Sequence, residues 1–389
     1  MTTVSESGQW TTAYAAALAD PAGTLPFLPQ PETFRDQTVS QLVRLRRGGG
    51  RLRLALSNEF GRDPLVLDAV TAGRPGPPSR DGRDRPVPAT LHGRARWRIP
   101  PGETAVSDPV GLAVAAGEDL LVNCYTAGSA APSAFLAAAQ RTGYAVPGHQ
   151  VGRAGHGQPH PFPSLYWVTR VLTDAPADGP VVVAFGDSIT RGDGTTVDAE
   201  QRYPDQLQAR LRAAGQPGAV VLNAGLGGNR LLRPVVGPPM TGRFDRDVLA
   251  VPEASHVIIM GGINDLGLPG LLGEPRPAAG EIIDGLFGLA RRAAGHGIQP
   301  VLGTITPILG RYAFLSAPGN EDIRRAVNQA IRRQREWPAA DFAVAVADPA
   351  DPARLAPAFD SGDGVHPSDA GARALAAAVD LSLFASRPS

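Results

Sequence analysis

Ser188 stands in Gly186-Asp187-Ser188-Ile189-Thr190, directly behind the apolar run Val181 to Phe185. A serine at the tip of a sharp turn that closes a buried strand is well placed to attack a carbonyl carbon. Its hydroxyl is a weak nucleophile at neutral pH. The chemistry therefore needs a base for its proton and donors for the charge that develops on the carbonyl oxygen. His366 is the candidate base, in Asp363-Gly364-Val365-His366-Pro367, with a carboxylate three residues ahead. Gly362 and Gly364 make that spacing a loop rather than a helix, so Asp363 can hold one imidazole nitrogen while the other faces Ser188. For the oxyanion, the candidate donors are the backbone N–H groups of Ser188 and Gly228 and the side-chain amide of Asn264. The last two lie in Asn223-Ala224-Gly225-Leu226-Gly227-Gly228-Asn229 and Gly261-Gly262-Ile263-Asn264-Asp265. A glycine at 228 would let the backbone come close to a substrate.

These four groups must be brought together by the elements around them. Beyond Asp174-Ala175-Pro176-Ala177-Asp178-Gly179-Pro180, which reads as a linker, apolar runs alternate with helical patterns. Val181 to Phe185, Ala219 to Leu222, His256 to Met260, Pro300 to Ile305 and Phe342 to Ala347 read as strands. They are apolar on both faces, as in a parallel sheet covered by helices, which are expected at about 202–214, 281–295, 321–336 and 368–384. The pattern predicts a flavodoxin-like, three-layer α/β/α domain over residues 180–389 with a parallel five-stranded sheet. In such folds sites form at the carboxyl ends of strands, where the four groups fall.

Before residue 175 the chain reads differently. Short alternating runs recur between Gly/Pro-rich turns: Val39 to Leu45, Arg51 to Leu56, Leu65 to Val70, Ala95 to Ile99, Gly111 to Val114 and Leu120 to Tyr125. They predict an all-β, jelly-roll-like sandwich over residues 1–175. Gly48-Gly49-Gly50 reads as a hairpin turn between the first two runs, and Gly73 to Pro88 as a surface loop.

Taken together, the blocks resemble the SGNH (GDSL-type) hydrolase superfamily, whose pattern is a Gly-Asp-Ser block, a block glycine, a Gly-x-Asn-Asp block and an Asp-x-x-His block. Here these are Gly186-Asp187-Ser188, Gly228, Gly262-Ile263-Asn264-Asp265 and Asp363-Gly364-Val365-His366, in the family's order over about 180–385. The resemblance implies Ser188 as nucleophile, His366 as base, Asp363 as its orienting acid, and Gly228 and Asn264 in the oxyanion hole. Gly225 and Gly227 compete for the second block; Gly228 is favoured because it sits five residues after Asn223, where the family's glycine usually falls. Leu56-Ser57-Asn58-Glu59-Phe60-Gly61 and Ser107-Asp108-Pro109-Val110 resemble the N-terminal β-rich region of a bacterial subgroup of these esterases.

Composition narrows the alternatives. The net charge is zero and all 37 basic residues are arginine, so there is no basic footprint for nucleic acid and no lysine for a Schiff base. The arginines of the 73–88 loop are interleaved with Asp81 and Asp84 rather than aromatics, which also speaks against nucleic acid. Cys124 is the only cysteine and reads as a small buried hydrophobe, which removes disulfides and Cys-rich metal sites. His156 and His160 lie in a Gly/Pro-rich loop without a carboxylate cluster and read as surface residues; His256 begins a strand and His296 ends a helix. His92 and His149 show no evident partner, and Arg191-Gly192-Asp193 continues the nucleophile loop. Asp187 and Asp265 are expected to hold loops through backbone N–H bonds.

Gly225 to Asn229 lacks the first-strand setting of a dinucleotide loop, and no Gly-x-Ser-x-Gly elbow occurs. Leu231, Leu232, Leu266, Leu268, Leu271 and Leu272 either line an acyl pocket or pack under the N-terminal domain. No run reaches the roughly 18–20 apolar residues of a membrane-spanning helix, and no basic-then-apolar leader opens the chain. It reads as soluble and cytoplasmic unless a leader has been removed. The expected function is ester hydrolysis through an acyl-enzyme, on a short acyl group carried by a carbohydrate or small natural product, with no metal or organic cofactor. Transfer of the acyl group to an alcohol or amine uses the same residues and stays open. The rival from another class is a carbohydrate-binding protein with a vestigial site. Oligomeric state is not legible.

Overall fold

The computed structural model describes residues 10–76, 85–151 and 158–385. His156 and half of the 73–88 loop, Asp81 and Asp84 included, lie outside the described residues. The chain divides into two compact units. The first takes residues up to Ala15 with Glu32–Ala134 and Thr142–Asp178; the second takes Ala16–Pro31, Phe135–Arg141 and everything from Gly179. Two stretches of the first 175 residues thus belong to the second unit.

The first unit is built on two antiparallel sheets. One orders Thr11–Ala15, Val168–Thr173, Leu52–Ser57 and Thr104–Val106; the other orders His160–Phe162, Gly143–Pro147, Phe34–Arg44, Asp119–Ala130, Ala69–Gly73 and Val87–Pro88. Alternation sets the buried faces: Leu52, Leu54 and Leu56 on one sheet, Val39, Val43, Val122 and Cys124 on the other. Burial pushes the Cys124 thiol up to about 12, consistent with an inert core residue. Two local expectations are corrected. Gly48-Gly49-Gly50 is not a hairpin, because the strands it joins lie in different sheets. Gly111 to Val114 is no strand, making only isolated bridges at its ends, Val110 to Leu52 and Val114 to Gly49. His149 does have a partner, its ring lying 4.5 Å from that of Tyr125.

The second unit carries a parallel five-stranded sheet: β1 (Val181–Gly186), β2 (Val220–Gly225), β3 (His256–Met260), β4 (Gln299–Gly303) and β5 (Ala339–Ala340), ordered β2-β1-β3-β4-β5. Every residue of β1 is buried, as a strand covered on both faces requires. Around it run α1 (Ser188–Arg191), α2 (Tyr203–Ala213), α3 (Met240–Phe244), α4 (Ile263–Leu272), α5 (Ala279–Gly295), α6 (Asn320–Arg333), α7 (Phe342–Val346) and α8 (Asp369–Ala377). The chain leaves β1 for β2 on one side and returns to β3 on the other, so the strand order reverses beside β1.

The expected fifth strand is a helix. Over 342–346 the buried residues are Phe342, Ala343 and Val346, a helical spacing, while Val344 is 67% exposed. Asp341 caps the first turn by accepting from the Val344 N–H at 3.4 Å, and the sheet edge is the short β5 just before it. The expected helix at 368–384 stops at Ala377, followed by a 3-10 turn at Leu381–Phe384. Helix α4 has no counterpart among the helices the sequence pattern predicts; Gly262, at φ +109°, turns the chain out of β3 and starts it. No helix among the described residues is long and apolar enough to cross a membrane.

Candidate active site

Strand β1 ends at Gly186, where a Cβ would lie 2.2 Å from Thr190 Oγ1 and 2.5 Å from the Met260 carbonyl oxygen. Only glycine permits the tight turn into α1, whose first residue is Ser188. The buried Asp187 side chain accepts from the Ile189 N–H at 3.1 Å, and burial pushes its carboxyl up to about 7. Gly192, at φ +109°, closes α1, and the N–H groups of Gly192 and Asp193 both donate to the Ser188 carbonyl, at 2.8 and 3.0 Å. The Ser188 turn is therefore held at one end by the Asp187 side chain and at the other by its own backbone.

His366 is delivered by the loop ahead of α8. Asp360 accepts from the N–H groups of Gly362 and Gly364, and Asp363 Oδ1 accepts from those of Val365 and His366. These bonds fold the loop so that Asp363 Oδ2 lies 2.6 Å from His366 Nδ1, while His366 Nε2 lies 2.9 Å from Ser188 Oγ. Burial raises the Asp363 carboxyl, but the hydrogen bond and charge of His366 outweigh it and bring it to about 2. Burial lowers the imidazole, yet its hydrogen bond to Asp363 and the charges of Asp193 and Asp363 hold it above the usual histidine value. Three side chains from two distant loops thus form a continuous chain from carboxylate to hydroxyl.

The glycines after β2 have separate reasons to be glycine. A Cβ on Gly225 would meet the Arg191 backbone N at 2.1 Å, and one on Gly227 the Arg191 guanidinium at 2.2 Å. Both are used up in packing against α1. Gly228, at φ +72°, lines the same cleft as Ser188 and Asn264. Asn264 sits in the first turn of α4 and gives one amide N–H to the Asn229 carbonyl at 3.0 Å. Asp265 Oδ2 and Oδ1 accept from the N–H groups of Leu231 and Leu232 at 2.6 and 3.0 Å, and burial pushes it up to about 6.

Beneath this, the buried Arg243 guanidinium donates to the carbonyls of Gly186 and Ala224, to Asn229 Oδ1 and to Asp247 Oδ2. It ties the ends of β1 and β2 to the loop that supports Asn264. Nothing in the sequence around Arg243 distinguishes it from a surface arginine.

Ser188, Gly228, Asn264, Asp363 and His366 all open onto one cleft of about 510 Å³. Its apolar wall includes Phe27, Leu28, Ile263, Leu268, Leu315 and Val365; its polar wall includes Gln140, Asp193 and Tyr312. Of the six leucines proposed for an acyl pocket, only Leu268 lines this cleft. Leu231 and Leu232 would be met at 2.9 Å by a Cβ on Gly285 of α5, and Leu271 and Leu272 are exposed. Phe27, Leu28, Ala138 and Gln140 come from the stretches 16–31 and 135–141, where no motif marks them. Asp193, which the sequence shows only as part of the loop after Ser188, faces the cleft. Its Oδ2 lies 4.0 Å from His366 Nε2, and Arg191 holds it through Nε at 2.7 Å and Nη2 at 2.6 Å. The other histidines stand apart: His160 Nε2 is 3.1 Å from Glu32, and His256 and His296 bond to the carbonyls of Leu383 and Arg292.

Residues 184–374 match the GDSL-like lipase/acylhydrolase family. The chain is 33% identical over 133 residues to the uncharacterized lipoprotein YqeF of Bacillus subtilis (strain 168), a match covering 33% of this chain and 49% of that protein. It thus spans about half the length of that curated relative. Among solved structures, a carbohydrate acetylesterase family member from Sinorhizobium meliloti is 20% identical, covering 52% of this chain and 97% of its own, with a TM-score of 0.41. A GDSL-like lipase from Bacteroides thetaiotaomicron VPI-5482 is 17% identical, covering 51% and 84%, with a TM-score of 0.39.

Proposed function

Because the α/β part of this chain belongs to the GDSL-like lipase/acylhydrolase family, we propose that it hydrolyses carboxylic esters through an acyl-enzyme on Ser188. The observation that carries this is the 2.9 Å contact of Ser188 Oγ with His366 Nε2, continued by the 2.6 Å contact of His366 Nδ1 with Asp363, opening onto the cleft. Ser188 Oγ attacks the carbonyl carbon as Nε2 takes its proton, and Asp363 holds the Nδ1–H of the imidazolium that forms. Charge on the carbonyl oxygen is met by the N–H groups of Ser188 and Gly228 and by the second N–H of the Asn264 amide. His366 gives its proton to the departing alcohol, and water then releases the acid by the same steps in reverse.

The cleft volume lies in the range of small-molecule sites. Ile263, Leu268 and Val365 suit the acyl group, and Gln140, Asp193 and Tyr312 suit a hydroxyl-rich alcohol such as a sugar or small natural product. Ser188→Ala and His366→Ala are each expected to lower turnover of a p-nitrophenyl acetate probe by at least about 10⁴-fold. Wild-type rates from either variant would remove that residue from the mechanism. In the same assay, p-nitrophenyl esters of rising chain length and a panel of acetylated sugars read the substrate. A rate that climbs steadily from acetyl to octanoyl would overturn the short-acyl assignment.

A further inference from the structure

We propose that Asp193 positions the water that releases the acyl group, and so sets this site for hydrolysis rather than transfer to an alcohol. The inference rests on the acyl-enzyme reading of Ser188. Asp193 lines the cleft, and its backbone N–H is bonded to the Ser188 carbonyl. Its carboxylate is oriented by the buried Arg191, whose remaining Nη1 donates to the Ala137 carbonyl. At 4.0 Å from His366 Nε2, Asp193 Oδ2 is too far for a direct bond. One water donating about 2.7 Å bonds to two acceptors sets them roughly 4.3 Å apart, close to the separation found here.

In the free enzyme Ser188 Oγ donates to Nε2. Once Oγ is acylated, Nε2 is vacant and faces the cleft beside Asp193. A water between them points one proton at Nε2 and the other at Asp193. Its oxygen forms a bond to the acyl carbonyl carbon as the first proton passes to Nε2. Collapse of the tetrahedral intermediate breaks the carbon–Oγ bond, and the proton on Nε2 returns to Oγ. Asp193 accepts a hydrogen bond throughout and takes no proton.

An alcohol has a single hydroxyl proton. Given to Nε2, it leaves an alkyl group against Asp193 and no donor for the Oδ2 lone pair that Arg191 does not take, which is unfavourable in a partly closed site. Water satisfies both acceptors, and a monohydroxy alcohol such as methanol does not. In Asp193→Asn the side-chain oxygen is expected to stay with Arg191, so the amide NH2 faces the cleft and the preference for water is lost.

The test is p-nitrophenyl acetate turnover in graded methanol, with acetate and methyl acetate both quantified. Relative to wild type, Asp193→Asn is expected to release about one equivalent of nitrophenolate in a burst. Its steady rate should then be roughly 10-fold lower, and its methyl acetate to acetate ratio roughly 10-fold higher at fixed methanol. An unchanged ratio overturns the proposal, whether or not the rate falls, because a role confined to bracing Arg191 would slow both acceptors alike. Asp193→Glu keeps a partner for Arg191 but displaces the carboxylate by one methylene, and it must also raise the ratio. If Asp193→Asn does not fold, this variant decides by the same criterion. Mass spectrometry of acid-quenched enzyme separates the two levels of failure. Acetylated Ser188 with an unchanged ratio defeats only the role of Asp193, whereas turnover without acetylated Ser188 defeats the acyl-enzyme reading as well.

Discussion

His366 is bracketed by charge on both of its nitrogens. Asp363 meets Nδ1 from its own loop and Asp193 approaches Nε2 from the turn after Ser188. Arg191 opposes them from behind Asp193, the buried Asp187 begins the same turn, and Tyr312 donates to Asp363 at 3.4 Å. Burial favours the neutral imidazole, but the two carboxylates win, so the free-enzyme pKa lies above the ordinary value of 6.5. A general base works only when unprotonated, so the acid limb of kcat/KM is expected to have its midpoint above pH 6.5. Asp193→Asn removes one favourable charge and leaves the Arg191 cation less compensated. Both changes disfavour the imidazolium and move the midpoint down. A pH–rate profile of the two enzymes checks this, and a midpoint that stays put would show that Asp193 exerts no field at Nε2. Asp193 was visible as a residue of the loop after Ser188, yet nothing local says that Gly192 and Gly194, both at positive φ, fold it back toward the base.

At the scale of elements, the distinction between helix and strand at 342–346 has a direct consequence. In a strand of a covered sheet Val344 and Val346 would share one buried face. In α7 they lie on different faces, Val344 67% exposed and Val346 fully buried. Val344→Lys is therefore expected to change stability by less than about 0.5 kcal/mol, and Val346→Ala to cost about 1–3 kcal/mol. Thermal melts of the two variants decide it, and similar large losses from both would restore the strand. The sequence misled here because Phe-Ala-Val-Ala-Val-Ala fits either element. Alternating alanines tolerate helical packing as readily as a pleat, and the cap at Asp341 tipped the balance. The site blocks were legible for the opposite reason. Gly186 to Ser188, Gly262 to Asn264 and Asp363 to His366 each owe their geometry to turns and caps formed within a few residues. Arg243 was illegible because three of its four acceptors, on Gly186, Ala224 and Asn229, come from β1, β2 and the loop after β2, and only Asp247 lies near it, four residues on.

At the scale of the molecule, the second unit is assembled from three pieces of chain. Its first two pieces hold each other, since Ala19 and Phe135 exchange backbone hydrogen bonds in both directions. They also bind the third: the Gln140 carbonyl accepts from the Asp198 N–H, and the Ala137 carbonyl accepts from Arg191. Phe27, Leu28, Ala138 and Gln140 then form part of the cleft wall. A fragment beginning at residue 179 would keep the sheet, Ser188, Asn264, Asp363 and His366, but lose that wall and the Ala137 acceptor. A buried guanidinium left short of one acceptor costs about 1–3 kcal/mol, and its loosening reaches Asp193 directly. The fragment is therefore expected to melt below the full chain and to hydrolyse p-nitrophenyl acetate with kcat/KM at least about 10-fold lower. Its preference among acyl chain lengths should flatten, because Phe27 and Leu28 no longer bound the cleft. Supplying residues 16–31 and 135–141 on a designed linker should recover part of both losses. A bare 179–389 fragment with the full chain's melting temperature and chain-length profile would show that these stretches only rest against the site. The cleft would then be specified by the α/β sequence alone.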